Sequence, residues 1–295
     1  MPSSTAAGSS ALDEALRKRI GRAMGVPVAR MDGVSGGCIA QAFHVRLQDG
    51  RSVFAKWRAD APPGLFVEEA RGLREIAETP GAPKVPEPLY ADETLLVLEY
   101  LPPGQLDREG WAALGRALAA MHQRTAPRFG FHADNYIGAT PQPNPWTEDG
   151  ITFFAEHRLR HQLRLARDRG LLDGPLVRDL EALIARLPEL LPSGEAPALV
   201  HGDLWSGNVY AGHGGLGCLV DPAAHYGLRE TDLAMTKMFG RLPDAFYRGY
   251  EEAWPLPPGA ETRVDLLNLY HQLNHLNLFG SAYLGGVVTT VRSYT

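Results

Sequence analysis

Residues 199–222 read LVHGDLWSGNVYAGHGGLGCLVDP and are the most informative part of the chain. An apolar strand end leads into His201-Gly202-Asp203, and Asn208 follows five residues after that aspartate. Asp221 stands at the end of the next short apolar run. Carboxylate and amide oxygens are the ligands that Mg²⁺ prefers, and a second carboxylate beside them can accept a proton from a hydroxyl group. The stretch therefore predicts a site for magnesium-assisted phosphoryl transfer.

Protein-kinase-like enzymes place the same groups in the same order around one hairpin. On this reading Asp203 is the catalytic base, Asn208 and Asp221 are the metal ligands, and the cofactors are ATP and Mg²⁺. His201 is better explained as a hydrogen-bonding support of the loop than as a titrating catalytic group. The alternative, a polar surface hairpin, does not account for the matched lysine upstream.

That lysine is Lys56, in a segment (52–57) that alternates like a β-strand. Glu69 follows in a segment (66–77) with helical periodicity. A lysine positioned by a carboxylate can reach the α- and β-phosphates, as the third strand and the next helix allow in a kinase small lobe. The alternative is an interfacial lysine that extends out of the sheet into water.

Two backbone features complete the predicted nucleotide site. In the glycine-rich turn, Gly36 and Gly37 can bring N–H groups close to phosphate oxygens, and Cys38 comes next. Such turns are common in hairpins, so this motif alone is a weak indicator. The backbone contacts to adenine are predicted to come from Glu99, Tyr100 and Leu101.

The chain length fits about two domains, and the element pattern predicts an α+β fold. Residues 1–10 read as a flexible tail, and 11–101 as a small lobe with an antiparallel sheet and one main helix. Residues 102–105, which begin with a Pro-Pro-Gly break, read as a hinge. Residues 106–295 form a larger, mostly helical lobe. The expected architecture is a bilobal protein-kinase-like fold.

Composition excludes several classes of partner. Hydrophobic residues make up 44% of the chain, charged residues 21%, and the net charge is −5. This balance gives no basic face for nucleic acid or a membrane, and no apolar run approaches the roughly 20 residues that span a bilayer. Two cysteines, Cys38 and Cys218, cannot form a disulfide framework. We expect a soluble, cytoplasmic protein without nucleic-acid or membrane partners.

Two features of protein kinases are missing from this sequence, and their absence narrows the range of possible phosphate acceptors. Protein kinases carry an arginine before the catalytic aspartate to hold a phosphorylated activation segment, and here that position is Gly202. A helical pattern (231–239) resumes about ten residues after Asp221, so a long activation segment is missing. A small acceptor, or a small group presented on a protein, is favoured. Asp232, in that helix, is a candidate for substrate contact or for support of the loop.

The chain resembles the fructosamine/ketosamine-3-kinase family, relatives of the aminoglycoside phosphotransferases. The resemblance extends from about residue 32 to the C-terminus. Within the kinase-like fold, the run DNYIGATPQ (134–142) and the tryptophan after Asp-Leu are specific to this family. The main matching stretches are FGFHADNYIGATPQPNPW (129–146), HGDLWSGN (201–208), DPAAHYGLRETDLAM (221–235) and HQLNHLNLFG (271–280).

The resemblance implies ATP-dependent phosphorylation of the 3-hydroxyl of a ketosamine, a fructosamine or ribulosamine adduct of a free amine or a protein lysine. Such enzymes are phosphotransferases with an alcohol acceptor and are regarded as deglycation agents. Trp205, two residues after the base, is a candidate platform for the sugar, with a core tryptophan as the alternative. Ala224 and His225 stand where relatives often carry bulkier or aromatic residues, which leaves the shape of the acceptor pocket open.

Cys38 also suggests a redox hypothesis. Backbone N–H groups or cations near the phosphate loop would favour its thiolate and make it oxidisable. Oxidation, for example to an intermolecular disulfide, would block nucleotide binding, so the protein would be a monomer or a redox-linked dimer. The alternative is that Cys38 is a small buried hydrophobic residue.

Two other functions remain open. The same fold could phosphorylate an aminoglycoside, a choline-like molecule or another hydroxylated metabolite. The second of these functions is a catalytically silent scaffold that binds nucleotide. It is disfavoured because the full set of kinase residues is present. That set is Lys56, Glu69, Asp203, Asn208 and Asp221.

Overall fold

Residues 4–34 and 39–294 are described by the computed structural model of this chain, with side chains from residue 13 onward. The chain divides into two units, Met1–Arg74 with Pro86–Pro102, and Glu75–Val85 with Pro103–Thr295. The division between Pro102 and Pro103 falls inside the predicted hinge, 102–105. Residues 75–85 group with the second unit, whereas the sequence had assigned them to the small lobe.

The first unit is built on a five-stranded antiparallel sheet in the order β1-β2-β3-β5-β4. Its strands are β1 Val28–Val34, β2 Gln41–Leu47, β3 Ser52–Trp57, β4 Pro88–Ala91 and β5 Leu95–Glu99. Apolar residues at alternate positions of β2 and β3 form one face, and Val45, Val53 and Ala55 are buried on it. Helix α1 (Ser4–Met24) contributes Leu16 and Ile20 to the same core.

One prediction for this unit was wrong. Residues 4–10 belong to α1 and not to a flexible tail. Alanine has the highest intrinsic helix propensity, and the alanines of this segment allow a helix despite its polar composition. The unit therefore contains α1 as well as the main helix α2 (Leu65–Ala77), which continues past Arg74 into the second unit.

The second unit is mostly helical, with three short antiparallel ladders that carry loops. The ladders pair β6 with β7, β8 with β11, and β9 with β10. The strands are β6 Asn135–Ile137, β7 Thr140–Gln142, β8 Ala198–Val200, β9 Val209–Gly212, β10 Leu216–Leu219 and β11 His225–Gly227. The helices are α3 Arg108–His122, α4 Gly150–Phe154, α5 Arg160–Asp168, α6 Gly174–Ala185, α7 Leu187–Leu190, α8 Glu230–Met235, α9 Asp244–Ala253, α10 Val264–Phe279 and α11 Leu284–Tyr294. The α+β prediction is confirmed.

A π-helical turn, Ala155–Leu159, joins α4 to α5. The apolar pattern of residues 151–169 is that of one continuous helix, because a single wide turn does not break it. A π turn shifts the side chains that follow it around the helix axis, and such turns are frequent at functional sites. This one carries Arg158, which is 2% exposed.

Among the described residues, no helix is both long enough and apolar enough to cross a bilayer.

Candidate active site

In the first unit, Lys56 and Glu69 form an ion pair. Lys56 lies near the end of β3, and its Nζ donates to Glu69 Oε1 of α2 at 2.6 Å. Both side chains are largely buried, at 11% and 14% exposed. The predicted strand–helix pairing of these two residues is therefore present, and the interpretation of Lys56 as a surface lysine does not fit its burial.

The other predicted nucleotide contacts of the first unit have different outcomes. Gly36, Gly37 and Cys38 lie outside the described residues. The Glu99 N–H donates to Glu87 O at 2.8 Å, so the predicted adenine contact is corrected for this N–H group, and contact through the Glu99 carbonyl oxygen remains a prediction. The Tyr100 ring stacks on His44 with the ring centroids 4.0 Å apart. The adenine contacts of Tyr100 and Leu101 remain predictions.

In the second unit, the predicted catalytic hairpin brings Asp203, Asn208 and Asp221 together. Strand β8 leads into Asp203, a 3₁₀ turn ends at Asn208, and β9 and β10 return the chain to Asp221. The Asn208 amide nitrogen donates to Asp203 O at 2.7 Å and to Asp203 Oδ2 at 3.2 Å. The Val220 N–H donates to Asn208 O at 3.0 Å, which places Asp221 beside the turn.

The electrostatics of this hairpin favour a bound cation. Burial of the carboxyl group, followed by the nearby charge of Asp221, raises the pKa of Asp203 to about 7, and the hydrogen bond from Asn208 opposes this shift. Two carboxylates that share a site disfavour each other's ionisation. A cation bound beside Asp221 would offset that repulsion and favour the ionised Asp203 that a base requires.

The donor set suits magnesium better than a metal held by protein alone. Within residues 4–34 and 39–294, no group of three or more histidine, cysteine or acidic side chains could hold a metal ion. Asn208 and Asp221, the predicted metal ligands, would supply two oxygen donors. Mg²⁺ is usually held by one or two protein oxygens together with substrate phosphates and water, so this small set fits a metal that arrives with a nucleotide.

His201 supports the hairpin. Its ring is fully buried, and burial lowers its pKa, so the imidazole is neutral near pH 7. A neutral ring has one donor and one acceptor nitrogen. Nε2 lies 2.9 Å from Val220 O, and Nδ1 accepts the Asp203 N–H at 3.3 Å. One ring therefore connects the backbone of Asp203 to the residue before Asp221.

Asp232 supports the same loop through hydrogen bonds to its backbone. Its carboxylate accepts the His201 N–H at 2.6 Å and the Gly202 N–H at 2.9 Å, and it is 1% exposed. His122 Nε2 lies 3.1 Å from the same carboxylate. These contacts correspond to the loop-support alternative, and a side chain with this burial offers no surface to a substrate, which corrects the substrate assignment. His122 was missed, because nothing near it in sequence indicates a partner 110 residues away.

Gly202 has a steric role that the sequence did not reveal. Its φ is +81°, and a β-carbon at this position would lie 2.3 Å from the Ala223 carbonyl oxygen. Only glycine combines a left-handed backbone with so close an approach. The two loops that carry Asp203 and Asp221 are therefore in direct backbone contact here.

Trp205 begins a row of aromatic side chains next to Asp203. It is 37% exposed and meets Phe239 edge-on, with the ring centroids 5.8 Å apart. Phe239 in turn meets His275 at 5.0 Å, and His275 contacts Phe279 and Tyr283 at 5.6 and 5.2 Å. The exposure of Trp205 rules out the core-tryptophan alternative.

Comparisons with known proteins identify the family of this chain. A family model described as fructosamine kinase matches residues 12–294. The chain is 43% identical over 280 residues to a candidate ketoamine kinase of Synechocystis sp., covering 92% of each protein. It is 38% identical over 275 residues to a protein-ribulosamine 3-kinase of Arabidopsis thaliana, covering 90% of this chain and 83% of that protein.

Comparison with solved structures identifies the fold. A crystal structure of a candidate fructosamine-3-kinase from Thermobifida fusca superposes with a TM-score of 0.87 at 37% identity, covering 94% of this chain and 97% of that one. A macrolide 2'-phosphotransferase superposes with a TM-score of 0.64 at 15% identity, covering 100% and 99%. At that identity only the fold is shared, and it is that of protein-kinase-like phosphotransferases.

Proposed function

The chain belongs to the fructosamine kinase family, and from this premise we propose that it transfers the γ-phosphoryl group of ATP to the 3-hydroxyl of a ketosamine. The acceptor is a fructosamine or ribulosamine adduct of an amine, either free or on a protein lysine. The observation that carries the proposal is the hairpin in which Asn208 fixes Asp203 beside Asp221. The names of the relatives at 43% and 38% identity support the choice of acceptor.

In the proposed reaction, Asp203 accepts the proton of the acceptor hydroxyl. The hydroxyl oxygen forms a bond to the γ-phosphorus, the bond from that phosphorus to the bridging oxygen breaks, and ADP leaves with the electron pair. Asp203 must be ionised for this role. The Asn208 amide orients it by donating to both its main-chain and side-chain oxygens.

We assign the remaining nucleotide contacts on the same basis. Asn208 and Asp221 would hold Mg²⁺, which neutralises charge on the transferring phosphoryl group when bound. Lys56, positioned by Glu69, would pair with the α- and β-phosphates. The residues proposed to meet the rest of the nucleotide through their backbone are Gly36, Gly37, Cys38, Glu99 (through its carbonyl oxygen), Tyr100 and Leu101. A reducing, cytoplasmic location accords with the two cysteines.

Turnover with defined acceptors tests this proposal. The purified protein would be incubated with ATP and Mg²⁺ and with ribulosyl-lysine, fructosyl-lysine, an aminoglycoside or choline, while ADP release is recorded. We expect turnover with the sugar–lysine adducts and a product that carries phosphate on O3 by NMR. Turnover with only the aminoglycoside or choline would assign a different acceptor to the same fold. ATP binding without turnover on any acceptor would indicate a silent scaffold.

Substitution of Trp205 tests the sugar platform. Stacking on an exposed aromatic ring contributes about 1 kcal/mol, so Trp205→Ala should raise KM for the adduct by about fivefold. Trp205→Phe should restore most of the loss, and KM for ATP should not change in either variant. Trp146, which is 40% exposed, provides a matched control. An equal rise of KM in Trp146→Ala would mean that Trp205 has no specific role.

A further inference from the structure

Asp221 has a strained backbone. Its φ is +57°, and in the described part of the chain it is the non-glycine residue with a positive φ. A left-handed conformation costs most residues with a β-carbon about 1–2 kcal/mol, and aspartate less, because its short polar side chain can hydrogen-bond locally. Such a residue persists only where the surrounding structure fixes it, and strain of this kind concentrates at functional sites.

On the side before Asp221, the backbone is held by the hairpin itself, through Asn208 and His201. On the side after it, two buried amide side chains provide the hold. Asn135 Nδ2 donates to Ala224 O at 2.9 Å, and Gln142 Nε2 donates to Ala223 O at 3.1 Å. Both acceptors lie within three residues of Asp221, and Ala223 O is also the atom that Gly202 approaches.

These two amides come from facing positions of one ladder. Asn135 of β6 is the register partner of Gln142 of β7, and Gln142 Nε2 also donates to Asn135 Oδ1 at 2.8 Å. The two side chains therefore form one unit, whose donors point at successive carbonyl oxygens of the loop after Asp221. They lie in the DNYIGATPQ run, for which the proposed reaction has so far given no role.

A second layer of polar groups orients the pair. Tyr270 OH donates to Gln142 Oε1 at 2.6 Å, and Asn144 Nδ2 donates to Asn135 Oδ1 at 2.8 Å. Arg158, on the π turn, donates to Asn144 Oδ1 at 2.7 Å. All five side chains are 5% exposed or less. If one of these amide groups turned over, its nitrogen would replace the oxygen that now accepts a hydrogen bond, and the donor facing it would be left unpaired. This layer therefore fixes the orientation of both amides.

We propose that Asn135 and Gln142 are positioning residues for Asp221, oriented by Asn144, Arg158 and Tyr270. The polar groups hold the strained backbone of Asp221 in the one conformation that presents its carboxylate to the magnesium–nucleotide complex. The inference rests on the proposed role of Asp221 as a metal ligand. It assigns Asn135 and Gln142 of the family-specific run to the metal site.

Calorimetric titration with ADP, without metal in EDTA and at increasing Mg²⁺, tests this inference apart from turnover. Outer partners of a metal ligand typically change metal affinity by about 10–100-fold, so Asn135→Ala should reduce the gain in ADP affinity from Mg²⁺ by about tenfold. The affinity for ADP in EDTA should stay at the wild-type value. Tyr270→Phe, which removes one hydroxyl group, should give a smaller loss in the same direction.

Asn277→Ala is the matched control. Asn277 is 6% exposed against 5% for Asn135, and its Nδ2 also donates to a main-chain carbonyl, Gln162 O, at 2.9 Å. The Asn277→Ala variant should lose stability, but Mg²⁺ should increase its ADP affinity by the same factor as in the wild type. The same unchanged gain in Asn135→Ala would overturn the proposal. If Asn135→Ala does not fold, Tyr270→Phe decides, and an unchanged gain in that variant would overturn it.

Asp221→Ala separates failure of this inference from failure of its premise. We expect this variant to lose the gain from Mg²⁺. If it keeps the gain, Asp221 is not the metal ligand and the proposed site fails. If it loses the gain while Asn135→Ala and Tyr270→Phe keep it, the metal assignment stands and only the positioning role is rejected.

Discussion

Asp203→Asn is expected to lower kcat by about 10³-fold, because general-base catalysis contributes about 10²–10⁴-fold and asparagine cannot accept the proton. The substitution keeps the shape of the side chain and leaves the main-chain contact from Asn208 in place. ADP affinity with Mg²⁺ should therefore change little. Steady-state turnover with the best ketosamine and ADP titration together measure the two effects.

The pH profile gives an independent check on this assignment. A base must be ionised, so kcat/KM of the wild type should fall as the pH decreases through the pKa of Asp203. Burial and the Asp221 charge raise that pKa to about 7, and a bound cation lowers it again, so the acid limb should lie at or below pH 7. The residual activity of Asp203→Asn should lack this limb. Asp244→Asn, at an exposed carboxylate, serves as the control. A variant that loses less than about tenfold in kcat would rule out the role of base.

Asp232→Asn should produce the largest loss of stability among single substitutions at the site. The carboxylate accepts two main-chain N–H groups and faces His122, all buried. An asparagine would turn an N–H group toward one of these donors and leave another unpaired. Breaking a buried charged network of this kind typically costs about 3–5 kcal/mol in the free energy of unfolding. Denaturant titration measures the loss, with Asp168→Asn as an exposed control.

The stability contributed by Asp232 should also depend on pH. Burial alone would raise its pKa, but the hydrogen bond from His122 and the neighbouring histidines lower the net pKa below the ordinary value of 3.8. A carboxyl group whose pKa is depressed in the folded state contributes stability that is present above its unfolded pKa and is lost as pH falls through the folded pKa. The wild type should therefore lose stability below about pH 4, and Asp232→Asn should lose less of it there. An equal loss in both proteins would contradict this account.

The parts of the site that the sequence predicted are those within one supersecondary element. Asp203, Asn208 and Asp221 share a hairpin, so their spacing along the chain limits their spacing in space. Lys56 and Glu69 were predicted from the strand and helix periodicities on which they lie. In both cases the local pattern places the side chains without knowledge of the rest of the fold.

The parts that the sequence missed depend on contacts between distant segments. Asn135 meets the Asp221 loop across 89 residues, and His122 meets Asp232 across 110. The π turn that carries Arg158 inward adds no break to the apolar pattern. Hydrogen bonds of this kind have no periodicity, so buried polar residues are visible only once their partners are in place. The family-specific run marked Asn135 and Gln142 as unusual, but it gave them no chemical role.

The left-handed glycine at position 202 limits how this enzyme could come under control in evolution. A single change to arginine there, the residue that lets signalling enzymes sense a phosphorylated segment, would drive its β-carbon into the Ala223 carbonyl. The backbone of both loops would have to be rebuilt at the same time as the side chain was acquired. Regulation through a phosphorylated segment would therefore need more than one substitution in this protein.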